Sequence, residues 1–135
     1  KGVQAPEDAV RIKAAGADAL YVSNHGARQM NAAPPAMTSI APVRAAIGNE
    51  MPLIVDGGVR SGEHVIKAIA SGADFVMIGR SAMFGLGAAG AAGLADILDS
   101  FAREASSVMG LAGKTGIGDI DTSCLAVAHG YSDGN

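Results

Sequence analysis

The 135-residue sequence predicts an α/β fold with a parallel sheet, and two observations carry that prediction. Short, continuous apolar runs alternate with stretches of helical period, the rhythm of parallel strands buried on both faces. The composition agrees. Hydrophobic residues make up 49%, enough for a core, while 19 glycines and 4% aromatics suit close helix-to-sheet packing better than an aromatic-rich sandwich.

The elements follow in order. Residues 6–15 read as a helix, with Glu7 and Asp8 favouring its N-terminal turn and Ala9 and Ile12 sharing a face. Residues 19–23 form an apolar strand. Thr38 is expected to cap a second helix carrying Ile40, Val43 and Ile47, with Pro42 tolerated in its first turn and Gly48 closing it. Residues 53–55 are the second strand. Ser61 caps a third helix through Val65 and Ile69, ending near Gly72, and residues 75–78 are the third strand. A longer helix then carries Leu94, Ile97, Leu98, Phe101 and Val108 on one stripe. Gly16-Ala17-Asp18 and Gly72-Ala73-Asp74 each join a helix to a strand, so the units are quasi-repeats. Residues 115–135 have no period and read as a loop or poorly ordered tail after a body of residues 1–114.

Polar and Gly-rich residues cluster after each strand: Asn24-His25-Gly26, Gly57-Gly58-Val59-Arg60 and Gly79-Arg80. Strand C-termini are where parallel α/β folds place their active sites. A closed (β/α)8 TIM barrel typically takes ~250 residues. Three strands, plus the end of a fourth near Lys1, cannot close. The expected architecture is therefore the C-terminal half of such a barrel, about strands 6 to 8 with their helices. The start at Lys1, without an initiator Met, is read the same way, with a trimmed end as the alternative.

Charge and cysteine content exclude several classes. The net charge of -3, with acids and bases interspersed, lacks the basic stripe of a nucleic-acid binder. One cysteine, Cys124, allows no internal disulfide and no CxxC metal site, and reads as a free thiol. No metal site is expected. His64 reads as a surface residue, His129 lies alone in the tail, and the methionines read as core filler. No apolar run looks long enough to span a membrane, and no signal peptide is visible. The expected location is the cytoplasm, with any membrane association residing in segments outside this chain.

Two motifs carry chemistry. In Ser23-Asn24-His25-Gly26-Ala27-Arg28-Gln29, a His can act as a base near neutrality, and an Arg three residues on can hold a carboxylate in bidentate fashion. That pair suits an acid with an oxidisable neighbouring carbon, although an isolated HxxR is more often a plain surface loop. In Asp56-Gly57-Gly58-Val59-Arg60, followed by Gly79-Arg80, glycines let backbone N–H groups approach a phosphate and each Arg adds charge. Residues 81–86 supply a candidate short helix for the same site. The plainer reading is tight βα turns, but two such loops after successive strands favour phosphate.

Lys1-Gly2-Val3, SNHGARQ at 23–29, DGGVR at 56–60 and IGR at 78–80 together resemble the FMN-dependent 2-hydroxy-acid oxidase and dehydrogenase family. That family includes glycolate oxidase, lactate oxidase, mandelate dehydrogenase and the flavin domain of flavocytochrome b2. The resemblance runs from Lys1 to about Gly110. It implies FMN as cofactor and oxidation of an L-2-hydroxy acid to the 2-oxo acid. It also implies roles: Lys1 beside the flavin N1/C2 carbonyl, Ser23 at the pyrimidine side, His25 as base and Arg28 as carboxylate anchor. Asp56 is implied at the ribityl chain, with Gly57, Gly58, Val59, Arg60, Gly79 and Arg80 around the phosphate arm. Asn31 departs from the family's usual Asp, removing a charge beside the active loop. The family's substrate-binding tyrosines and the carboxylate that pairs with its His belong to the N-terminal half.

The resemblance further implies a small hydroxy acid as partner, reoxidation by oxygen, a quinone or a cytochrome, the missing half-barrel, and a homo-oligomer when complete. Two other readings stay open on the residues. One is a different FMN or phosphate barrel, similar to inosine-monophosphate dehydrogenase or isopentenyl-diphosphate isomerase. The other is an inactive half-barrel fragment.

Overall fold

A computed structural model describes residues 1–126. Its elements alternate as α1 (Pro6–Ala14), β1 (Leu20–Val22), α2 (Ala36–Ile47), β2 (Leu53–Val55), α3 (Gly62–Ala70), β3 (Phe75–Val76) and α4 (Arg80–Leu111). The three strands form one parallel sheet in the order β1-β2-β3, with Leu20 opposite Leu53 and Val55 opposite Val76. Val3 bridges in parallel to Val22, so the first residues run beside β1.

The core lies between the sheet and α1 and α2. Leu20, Val22, Leu53 and Val55 alternate inward and meet Ala9, Ile40, Val43 and Ile47. All of these are essentially inaccessible to water. A second cluster joins Ile66 and Ala70 of α3 to Ile120, with Ala105, Val108 and Met109 of α4 packed against it. Gly62 makes the α3–α4 contact possible: a Cβ there would lie 2.2 Å from the Phe101 carbonyl oxygen. The Glu104 carboxylate accepts the Gly62 N–H at 2.7 Å and satisfies one of the free donors at the start of α3.

Several expectations are corrected. Helix α2 begins at Ala36, and Thr38 does not cap it; its hydroxyl donates back to the Pro35 carbonyl at 2.7 Å. Pro42 then falls in the second turn, where the hydrogen bond it cannot make is to Thr38. The third strand pairs over two residues only, Met77 adding one more bond from its N–H to the Val55 carbonyl. On α4, Leu98 is 51% exposed and the buried positions are Gly85 and Gly93, which touch across a break at Ala89–Gly90. The break divides a short helix at the cavity mouth from the longer stretch lying on α3.

Among the described residues, Arg80–Leu111 has the length and apolar composition to cross a membrane, contrary to the expectation above, but the break at Ala89–Gly90 divides it into two shorter helices. Its Ala and Gly content raises the hydropathy, and no charged residue falls between Arg80 and Asp96. The methionines are not all core filler: Met51 is buried, but Met30, Met77 and Met83 are largely exposed. Beyond α4, single turns at Ile117–Asp119 and Thr122–Cys124 bring Ile120 down onto α3. His129 lies outside the described residues.

Candidate active site

The ends of all three strands open onto one cavity of about 450 Å³. Its walls contain every residue to which the sequence resemblance gave a role at the site: Lys1, Ser23, His25, Arg28, Asp56, Gly57, Gly58, Val59, Arg60, Gly79 and Arg80. Four cations therefore surround a single carboxylate, a balance that draws anions in.

The loop after β1 is built by its own side chains. His25, Gly26 and Ala27 have φ of +53°, +65° and +60°, three consecutive left-handed residues of which only one is glycine. Such conformations cost about 1–3 kcal/mol each for a residue with a Cβ. Local hydrogen bonds offset this. Ser23 Oγ accepts the His25 N–H at 3.0 Å, Asn24 Oδ1 accepts the Gly26 N–H at 3.1 Å, and the Asn24 carbonyl accepts the Ala27 N–H at 2.9 Å. The turn carries the imidazole back over Gly2, where a Cβ would come within 2.6 Å of His25 Cε1. None of the ion pairs among the described residues involves His25.

The loop after β2 is held from three sides. Gly57 (φ +96°) passes so close under Asn24 that a Cβ would lie 2.8 Å from its Oδ1. Val59 is buried, and its carbonyl accepts from Ser81 Oγ at 3.4 Å. The Arg60 N–H donates to His64 Nδ1 at 3.2 Å. His64 is thus a partly exposed residue, as expected, that also braces this loop. The first turn of α4, from Arg80, ends on the same cavity with free backbone N–H groups.

Asp56 differs from its neighbours. Its Oδ2 accepts from the Tyr21 hydroxyl at 2.7 Å, while its Oδ1 is buried and has no hydrogen-bond partner. Tyr21 was missed by motif reading, as was Met77 on the same walls; Gln29 lies in the first motif, and Ser81 and Met83 in the short helix expected at residues 81–86. For Tyr21 a signal existed. Between buried Leu20 and Val22, strand alternation turns its side chain to the opposite face, where the cavity lies.

The FMN-dependent dehydrogenase family model matches residues 1–127. The chain belongs to that family. It is 42% identical over 125 residues to an L-lactate oxidase of Lentilactobacillus hilgardii, covering 93% of this chain and 34% of that protein. A 4-hydroxymandelate oxidase of Amycolatopsis orientalis is 44% identical, over 87% of this chain and 33% of that one. Among solved structures, a mandelate oxidase with (S)-2-phenylpropionate superposes with a TM-score of 0.83 at 44% identity, over 87% of this chain and 35% of its own. The chain thus spans about a third of the length of the relatives it matches. The match continues past Gly110, where the motif resemblance stopped, through the turns around Ile120.

Proposed function

We propose that the protein carrying this chain oxidises an L-2-hydroxy acid to the 2-oxo acid with FMN, and that this chain supplies the base, the carboxylate anchor and the phosphate arm of the site. One observation carries the reading: His25 and Arg28, at the end of β1, share a cavity with the glycine-and-arginine loops after β2 and β3. Together they offer a base, a bidentate anion site and a phosphate cradle.

The residues fit FMN. The unpartnered Asp56 Oδ1 is a buried acceptor that a polyol hydroxyl would satisfy, since an orphaned buried oxygen otherwise costs about 1–3 kcal/mol. Gly57, Gly58, Val59 and Arg60, with Gly79 and Arg80, would hold the phosphate, and Lys1 and Ser23 the ring side. When bound, the flavin supplies a two-electron acceptor. Arg28 binds the substrate carboxylate, and His25 takes the proton that leaves as the alcohol becomes a carbonyl. The strained turn at His25 fixes the base before substrate arrives.

The remaining strands and the acidic partner of His25 come, in this reading, from residues outside these 135. The 69% exposure of Phe75 on edge strand β3 supports that, because an apolar parallel edge needs covering. The test is His25→Gln in the full-length protein. FMN should remain bound while anaerobic flavin bleaching by glycolate, L-lactate or L-mandelate slows by about 10²–10⁴-fold. Bleaching at the wild-type rate would remove His25 as the base.

A further inference from the structure

The alternation of β1 sends Leu20 and Val22 into the core and leaves Tyr21 facing the cavity. Tyr21 stands opposite Ile54 in the parallel register, so Asp56, two residues beyond Ile54, projects on the same side. The phenol bridges that step and donates to Asp56 Oδ2 at 2.7 Å. Lys1 Nζ lies 5.2 Å from the centroid of the same ring, within cation–π range. Burial first, then the hydrogen bond and charge of Asp56, push the Tyr21 hydroxyl up to about 12. It therefore remains a donor across the whole working range of an enzyme.

We propose that Tyr21 is a positioning residue for the cofactor. Its hydroxyl fixes the Asp56 carboxylate in one rotamer, so that the unpartnered Oδ1 is presented to a hydroxyl of the ribityl chain. An aspartate carboxylate, free about two side-chain torsions, can otherwise turn either oxygen to solvent or to the neighbouring arginines. With Oδ2 held, the acceptor is set before the ligand enters, and the entropy of ordering it is not lost on binding. The inference rests on the FMN reading above and adds to it a residue outside every motif that carries that reading.

The test uses the full-length apoprotein, with flavin fluorescence quenching as readout and three ligands: FMN, riboflavin and lumiflavin, the last having no ribityl chain. Tyr21→Phe keeps the ring under Lys1 and removes only the hydroxyl. It should raise the Kd of FMN and of riboflavin about tenfold, the weight of a hydrogen bond to a charged group, and leave that of lumiflavin unchanged. Asp56→Asn should give the same pattern, and the double variant should weaken FMN no further than Asp56→Asn alone. Equal weakening of all three ligands would mean a general structural role and overturn the proposal. Unchanged FMN binding in Tyr21→Phe would overturn it while leaving the FMN reading intact. A wild-type apoprotein that binds none of the three flavins would overturn the FMN reading itself, and this proposal with it.

Discussion

Replacing Gly2 by Ala separates the seating of the base from the stability of the fold. A Cβ on Gly2 would lie 2.6 Å from His25 Cε1, whereas carbon atoms in contact sit about 3.5–4.0 Å apart, so the imidazole must move by about 1 Å. Gly2 also has φ +80°, a conformation that costs an alanine about 1–2 kcal/mol. The fold should absorb that cost, because the atom struck is the tip of an exposed side chain and not backbone. Catalysis should not, since a displacement of that size can cost about 100-fold in rate. Stopped-flow flavin reduction at saturating hydroxy acid, on the full-length protein without oxygen, is the assay, with FMN affinity and urea unfolding as controls. The expected result is a rate lower by about two orders of magnitude with FMN still bound. A wild-type rate would refute either the seating of His25 on Gly2 or its role as base.

Other perturbations follow from the same geometry. Gly57→Ala should drive Asn24 Oδ1 off the Gly26 N–H, because the added carbon would meet it at 2.8 Å, and both flavin affinity and reduction rate should fall. Asp74→Ala removes an acceptor from the Leu53 N–H and from Arg44, so urea unfolding should show a loss of about 1.5–3 kcal/mol with the site's kinetics unchanged. Because the folded-state pKa of Tyr21 is raised, its contribution to stability is complete below pH ~10 and is lost as pH rises toward about 12. Tyr21→Phe should lack that alkaline loss, and a wild-type-minus-variant phenolate absorbance titration should show one tyrosine ionising near 12.

The elements legible in the sequence are those whose signals are local. Ser61 caps α3 through its hydroxyl, as its place before an apolar period implies. Gly48 ends α2 at φ +73°. The failures came where one residue had two plausible tasks. Thr38 resembles a cap, but the preceding Pro34-Pro35 fixes an extended backbone that lets the helix start at Ala36. Leu98 shares the α4 stripe by spacing, yet a helix turned back on itself through Gly85 and Gly93 presents a different face. The signal for the break is the glycine run, with Gly85, Gly87, Gly90 and Gly93 all poor helix interior, and the short helix expected at residues 81–86 falls on the cavity side of it.

The site was legible for a related reason. Ser23, Asn24 and Gly26 do more than lie near His25: they are the parts that hold its backbone left-handed. A motif that must encode both a reactive group and the strained turn presenting it is long, and so is specific. Tyr21 and His64 brace their loops from neighbouring positions through a single contact each, and a single contact leaves no pattern of spacing. Their roles follow only once the sheet register sets Tyr21 beside Asp56 and the first turn of α3 sets His64 under Arg60. For such residues the sequence supplies identity while the fold supplies meaning, and mutagenesis guided by motifs alone would pass over both.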